Sequence, residues 1–105
     1  MIIDFTDTMV WLKGFASEET IKRLFIEAAK STDLELHYAL VDYRHTPAEI
    51  LTELAKKEDW VLRLYVTRHD NLPLEELENL CNDSNEDVRQ IAKENFARRT
   101  KQKEV

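Results

Sequence analysis

The sequence predicts an all-α fold, a short solenoid of three helix-pair repeats of 26 residues behind an N-terminal helical cap. Three observations predict it. The chain of 105 residues has one Gly and two Pro, too few for the many tight turns of a β-sandwich or barrel. Its apolar residues recur at the three- and four-residue spacing of a helix. The same pattern returns in the blocks 20–45, 46–71 and 72–97.

Composition and charge indicate one small globular domain. With 43% hydrophobic and 34% charged residues, the chain is long enough to bury a core as a single domain, 1–105. A single Cys cannot form an internal disulfide or a multi-thiolate metal site, which favours a reducing, cytoplasmic setting and no metal or other cofactor. The chain shows no targeting or membrane-spanning stretch, so we expect no membrane partner.

Residues 1–16 precede the repeats and predict an N-terminal cap. We expect Asp7 to open a short helix that Gly14 ends. Ser17 then has the character of an N-cap for the first repeat, because its hydroxyl can accept a hydrogen bond from a free amide of the next turn. Two glutamates follow it, in the first turn of that helix, where negative charge is favourable.

The three blocks align without insertions, and the middle block resembles both of its neighbours. The first and third blocks share residue character but no identical position. The first two blocks share Thr20/Thr46, Glu27/Glu53, Ala29/Ala55, Lys30/Lys56, Asp33/Asp59 and Leu36/Leu62. The last two share Pro47/Pro73, Glu49/Glu75, Leu51/Leu77, Leu54/Leu80 and Arg63/Arg89.

Each block predicts two amphipathic helices joined by a short link. The expected core residues of the first helices are Ile21, Leu24, Phe25, Ala28, Ala29, Ile50, Leu51, Leu54, Ala55, Leu77, Leu80 and Cys81. Those of the second helices are Leu36, Ala39, Leu40, Tyr43, Leu62, Tyr65, Val66, His69, Val88, Ile91, Ala92 and Asn95. Asp33, Asp59 and Asn85 recur before the second helices, where each can cap free amides.

Capping sequences also mark the first helices of the later blocks. Thr46 is the expected N-cap of the second block, with Pro47 at the first helical position. In the third block Leu72 replaces that Thr, which leaves Asn71 as the expected cap. The last helix is predicted to start near residue 86 and to run past Arg99 into a polar tail, 98–105.

The stretches 45–51, 59–63 and 68–77 resemble the leucine-rich repeat variant, a repeat similar in shape to HEAT repeats. The resemblance covers about residues 20–97, and it joins a Thr-Pro-x-Glu-x-Leu start to an Asp-x-x-Val-Arg middle. It implies a right-handed α-α superhelix that binds other macromolecules. Tyr43 and His69 depart from the family, which usually has Asn there. Some relatives carry a cysteine-ligated iron–sulfur cluster in a separate domain, which one Cys cannot supply.

A second stripe on the second helices lies away from the expected core face. It contains Leu34, Tyr38, Val41, Asp42, Trp60, Leu64, Thr67, Arg68, Glu86, Gln90, Lys93 and Glu94. If the stripe is exposed, Tyr38, Val41, Trp60, Leu64 and Arg68 are the candidates to contact another protein or a second copy. The alternative, favoured because open apolar patches are rare in monomers, is that the N-terminal cap covers it. The covering residues would be Ile2, Phe5, Trp11 and Phe15.

Other residue types with chemical potential have structural interpretations. Arg63 and Arg89, with His37 at the same register, either bind an anionic partner or tie neighbouring repeats together, and the second is favoured. His45 and His69 lack metal-ligand spacing, and His69 falls on the core stripe, so we expect a partly buried, hydrogen-bonded histidine rather than a metal ligand. No nucleophile, acid–base constellation or phosphate loop stands out, so we expect no enzyme and no catalytic residue.

Three hypotheses for function remain. The leading one is a non-enzymatic protein-protein interaction module or scaffold that acts through the stripe. The second is nucleic-acid binding through the basic tail (Arg98, Arg99, Lys101 and Lys103), although a formal charge of -6 disfavours nucleic acid as a partner. The third is a small acidic inhibitor or immunity-type protein matched to a basic enzyme.

Overall fold

The computed structural model describes residues 5–103, with the side chains of residues 8–10 and 12–101, and this part of the chain forms seven α-helices and no strand. They are α1 (Phe5–Lys13), α2 (Glu18–Lys30), α3 (Leu34–Asp42), α4 (Ala48–Leu54), α5 (Trp60–Val66), α6 (Leu74–Leu80) and α7 (Glu86–Lys103). The predicted all-helical class is confirmed. Within the described range, every helix is too short or too polar to cross a membrane.

The helices pack as pairs, and the pairs lie side by side. Helix α2 packs on α3, α4 on α5, and α6 on α7, while α2 also contacts α4, and α5 contacts both α3 and α7. One layer therefore contains α3, α5 and α7. Apolar side chains of these paired helices form the core, among them Leu40, Leu51, Leu54, Leu62, Val66, Leu77 and Val88. Helix α1 packs against α2 and adds Met9 to this core.

Short polar side chains cap the N-termini of α2, α3, α5 and α7, as predicted. The Ser17 hydroxyl accepts a hydrogen bond from an amide three residues on, at the start of α2. Asp33 and Asp59 accept from amides in the first turns of α3 and α5, and Asn85 does the same for α7. These bonds satisfy amides that have no partner inside the helix. The predicted caps of the second helices are thus confirmed.

The predicted caps of α4 and α6 are wrong. Pro47 and Pro73 occupy the N-cap positions, and neither helix has a side-chain cap. The Thr46 hydroxyl is buried and donates instead to the carbonyl of Leu40, at the end of α3. The Asn71 side chain joins two turns, as described below. In both cases the polar side chain donates instead to a backbone carbonyl earlier in the chain. A buried carbonyl without a partner is costly, which favours these bonds.

The N-terminal helix begins earlier than predicted and ends next to Gly14, as predicted. It begins at Phe5, so Asp7 lies in its first turn rather than before it. It ends at Lys13, next to Gly14, but no described residue has a positive φ. The chain turns instead through bonds from the amides of Phe15 and Ala16 to the carbonyl of Leu12. The freedom of glycine to adopt the left-handed conformation is therefore not used here.

Two predicted core residues are exposed. Leu24 and Tyr65 each keep 44% of their accessible surface. Leu24 matches Ile50, which α2 helps to bury, but α2 itself has only the short α1 before it. Tyr65 of α5 contacts the ring of Tyr38 in α3, and much of its own surface stays open. Helical spacing identifies a face but does not say how far a neighbouring helix extends over it.

Candidate protein-binding groove between helices α3 and α5

An open groove of about 1190 Å³ runs between α3 and α5. The turns that follow these two helices close one end of it. Its lining residues are Glu35, Tyr38, Ala39, Val41, Asp42, Arg44, His45, Val61, Tyr65, Arg68, His69, Asp70 and Asn71. Concave surfaces of this kind, with aromatic and charged side chains, are where proteins usually bind partners.

Most lining residues occur as pairs that are 26 positions apart. These pairs are Glu35/Val61, Ala39/Tyr65, Asp42/Arg68, Arg44/Asp70 and His45/Asn71. The two helices therefore present matching positions in the same order and run side by side in the same direction. At one of these matching positions α3 has the small Ala39 and α5 has the large Tyr65.

Two tyrosines form the aromatic part of the groove. The rings of Tyr38 and Tyr65 meet edge to face, with 5.7 Å between centroids. The Tyr38 hydroxyl donates to Asp59 Oδ2 over 3.1 Å, while Oδ1 of the same carboxylate caps α5. Burial, followed by the hydrogen bond and the charge of Asp59, raises the pKa of Tyr38. Tyr38 is thus held in one orientation, and the exposed Tyr65 rests against it.

Hydrogen bonds between the two closing turns fix the other end of the groove. The amide of Asn71 donates to His69 Nδ1 over 3.1 Å, so Nε2 carries the proton and donates to the Tyr43 carbonyl over 2.8 Å. The side-chain amide of Asn71 donates to the carbonyls of Arg44 and Thr46. The prediction of a buried, hydrogen-bonded His69 is confirmed, whereas the role of Asn71 was missed.

Four exposed charged residues surround this fixed end. Asp42 is the last residue of α3 and Arg68 is the matching residue in the turn after α5, while Arg44 and Asp70 occupy matching positions on the two turns. The sign of the charge is inverted within each pair. Among the described residues, the side chains of Asp42, Arg44 and Arg68 have no ion-pair partner, and Asp70 has a loose one, Arg98, at 3.7 Å. We call these four residues the charge quartet.

Only some of the residues predicted to form the binding stripe line the groove. Tyr38, Val41 and Arg68 line the groove, whereas Trp60 and Leu64 do not. Leu64 packs partly against the core, and Trp60 is 40% exposed. Elsewhere on the stripe, Leu34 is exposed and Thr67 is buried, with its hydroxyl bonded to the carbonyl of Leu64. The helical spacing that grouped these residues could not distinguish the groove from its flank.

The N-terminal segment does not line the groove in the described part of the chain. No residue of α1 is among the lining residues, and Phe15 is 77% exposed. The other proposed covering groups, Ile2 and the side chains of Phe5 and Trp11, lie outside the described residues. The surface of the groove that can be described is open to solvent.

Arg63 ties its own block to the next one, as favoured from the sequence, whereas Arg89 makes its bond within its own block. Arg63 binds Asp83 through Nε and Nη2 over 2.8 and 3.0 Å, and its Nη1 donates to the Lys57 carbonyl over 2.7 Å. Arg89 donates from Nη1 to the Asp83 carbonyl over 2.8 Å. Burial raises the pKa of Asp83, but the hydrogen bond from Arg63, the amide of Asn85 and the nearby arginine charges outweigh it, so that this pKa is lowered.

His37 occupies the arginine position in α3 and lacks an equivalent contact. It is 5% exposed, and within the described structure its Nε2 has no hydrogen-bond partner. The residue that matches Asp83 one block earlier is Lys57, which cannot accept a bond from a guanidinium side chain. The exchange of arginine for histidine at this position thus accompanies the exchange of aspartate for lysine.

The remaining reactive groups are held in structural contacts. Cys81 is partly buried against the core, and burial raises the pKa of its thiol, as expected for a packing residue. Within the described chain no group of three His, Cys, Asp or Glu side chains is placed to hold a metal. In the basic tail, Arg99 donates to the Leu72 carbonyl over 2.7 Å.

No family model, curated protein or solved structure matches this chain. The side chains of the groove and the contacts that fix them are therefore the observations that bear on its function.

Proposed function

We propose that the chain is a non-enzymatic protein-interaction module or scaffold, a short right-handed solenoid of three helix pairs that presents the α3–α5 groove to a partner protein. One observation carries the proposal: a groove lined by matching positions of two successive pairs holds a fixed tyrosine, an exposed tyrosine and unpaired charges. Tyrosine and arginine side chains are enriched where protein partners bind.

Helix boundaries and repeated contacts support the solenoid. Helices α3, α5 and α7 begin at Leu34, Trp60 and Glu86, and α4 and α6 begin at Ala48 and Leu74, each 26 positions from its counterpart. The bond from Arg63 to the Lys57 carbonyl recurs 26 positions later from Arg89 to the Asp83 carbonyl. Recurrence of both boundaries and contacts is typical of stacked repeats. It also agrees with the resemblance to the leucine-rich repeat variant.

The groove suits a protein segment better than a nucleic acid. Glu35, Asp42 and Asp70 add three carboxylates to its lining, and these repel phosphates. In the tail, Arg98 lies near Asp70, and Arg99 binds a backbone carbonyl, so both contribute to internal contacts. An inhibitor matched to a basic enzyme receives no specific support, because the groove carries charges of both signs.

The repeat can be tested by building its missing arginine tie. The double substitution His37→Arg with Lys57→Asp would recreate, one unit earlier, the pair formed by Arg63 and Asp83. We expect each single substitution to destabilise, and the double variant to recover by a coupling free energy of about 1 to 3 kcal/mol. Urea unfolding of the four proteins in the double-mutant cycle measures this coupling.

Matched controls make the result specific to register. The pair His37→Arg with Lys56→Asp moves the carboxylate one residue along the chain, away from the position equivalent to Asp83, and should show no comparable coupling. Equal coupling in both cycles, or none in either, would contradict a common geometry in the successive units.

The binding function can be tested with peptides selected from a random displayed library on the immobilised chain. Amide shifts in NMR spectra should change along 35–45 and 61–71 when a selected peptide is added. Tyr65→Ala should weaken binding, measured by fluorescence anisotropy, by about 2 kcal/mol, as for an aromatic anchor. Leu24→Ala is the matched control, since Leu24 and Tyr65 are both 44% exposed. Peptides that bind both variants equally and shift other amides would refute the groove as the site.

A further inference from the structure

We propose that the partner of the groove is a second copy of this chain, in a two-fold symmetric dimer in which α3 of each copy packs on α5 of the other. The inference rests on the proposed function of the groove as a protein interface. Homodimers with one two-fold axis are the commonest protein oligomers, and their interface must be complementary to itself. The groove must therefore be complementary to itself in both shape and charge.

The direction of the two helices selects one symmetry axis. Because α3 and α5 run side by side in the same direction, a two-fold axis parallel to them and between them exchanges the helices without changing their levels. Each lining residue then faces the residue 26 positions away in the second copy. The facing pairs that matter are Ala39 with Tyr65, Asp42 with Arg68, and Arg44 with Asp70, and each pair occurs twice.

The first facing pair is complementary in shape. Tyr65 is 44% exposed, and its ring is supported from one side by the edge of Tyr38. Ala39, the small matching residue of α3, also lines the groove. In the proposed dimer the Tyr65 ring of one copy enters the space over Ala39 of the other, so that a protrusion meets a hollow twice. A large, rigid aromatic side chain in a small pocket is the usual anchor of an interface.

The other facing pairs are complementary in charge. The charge quartet has opposite signs at matching positions, so the exchange of helices sets Asp42 against Arg68 and Arg44 against Asp70 of the second copy. Four ion pairs result, from side chains that mostly lack partners within one copy. The same exchange places His45 opposite Asn71, and Glu35 opposite Val61 at the outer end, where Glu35 is exposed. A partner with charges of a single sign would leave half of the quartet unmatched.

Charge reversal tests this arrangement by sedimentation velocity, from micromolar to millimolar protein. The parent chain should become dimeric as concentration rises. Asp42→Arg and Arg68→Asp each place like charges face to face, so each should weaken self-association at least about tenfold. An equimolar mixture of these two variants should form a heterodimer, because the reversed charges then face each other. The double variant D42R/R68D should dimerise like the parent for the same reason.

Controls separate the interface from general charge effects. Glu27→Arg and Arg23→Asp make the same reversals on exposed residues of α2, outside the groove, and should leave dimerisation unchanged. Ala39→Trp, which fills the hollow, should abolish it. Circular dichroism melts establish that each variant is folded.

Two results would overturn the inference: a parent chain that stays monomeric at millimolar concentration, or charge-reversal variants that fail to associate with each other when mixed. A monomeric chain that still binds selected peptides through Tyr65 would refute the dimer alone. A chain that neither dimerises nor binds peptides at the groove would refute the proposed function as well.

Discussion

Substitution of Arg63 by Ala is expected to lower the free energy of unfolding by about 3 kcal/mol. The Arg63 and Asp83 side chains are 12% and 8% exposed and are joined by two hydrogen bonds. Without the guanidinium, the buried Asp83 carboxylate loses its ion-pair partner, and the carbonyls of Lys57 and Glu58 lose their donor. Burial of an unpaired charge is the main cost. Urea unfolding near neutral pH measures it.

The effect of this substitution should depend on pH in a defined direction. The pKa of Asp83 is lowered in the folded chain, so the pair stabilises the fold fully above the ordinary pKa of an aspartate and less as pH falls through the lowered value. The difference in stability between parent and Arg63→Ala should therefore shrink in acid. Arg23→Ala, an exposed arginine of α2, is the control, with a change within about 0.5 kcal/mol. A cost for Arg63→Ala that is equally small would show that the tie adds nothing to stability.

Substitution of Leu51 by Ala is the second large expected effect, a loss of about 2 to 5 kcal/mol. Leu51 has no exposed surface and lies in α4, which packs against both α2 and α5. The missing methyl groups leave a cavity. The surrounding helices are held in place by several other side chains and cannot easily close it. Chemical denaturation monitored by circular dichroism gives the value.

Leu24→Ala is the matched comparison for Leu51→Ala. Leu24 lies in α2 and keeps 44% of its surface, so its truncation removes less buried area and leaves an open notch rather than a cavity. We expect a loss below about 1.5 kcal/mol. If the two substitutions cost the same, Leu51 would not occupy the closed core described above.

Local chemistry explains which features of the fold could be predicted from the sequence. Asp33, Asp59 and Asn85 have one obvious use, the free amides that follow them, and each makes that bond. Thr46 has two possible partners, an amide ahead of it and a carbonyl behind it, and the sequence does not reveal that the second is buried. Tyr65 shares its helical phase with core residues, yet it lines the groove between α3 and α5 and is exposed.

The candidate site was predicted in part for the same reason. Tyr38, Val41 and Arg68 keep the helical spacing of the predicted stripe, and they line the groove, although Arg68 lies in the turn after α5. Arg44 and Asp70 were missed because they lie in turns and do not keep that spacing. A comparison of residues 26 positions apart would have shown the inverted signs within the charge quartet. The sequence could not supply the distance between the segments of the chain that carry these four charges.

The bonds between the turns restrict how the length of this chain can change. His69 reaches the Tyr43 carbonyl, and Asn71 reaches those of Arg44 and Thr46, across 25 to 27 positions. One extra residue inside α5 would rotate each later side chain by about 100° around the helix axis, because a turn takes 3.6 residues. These donors would then point away from their acceptors. An insertion of one residue in α5 is therefore incompatible with these bonds between the two turns.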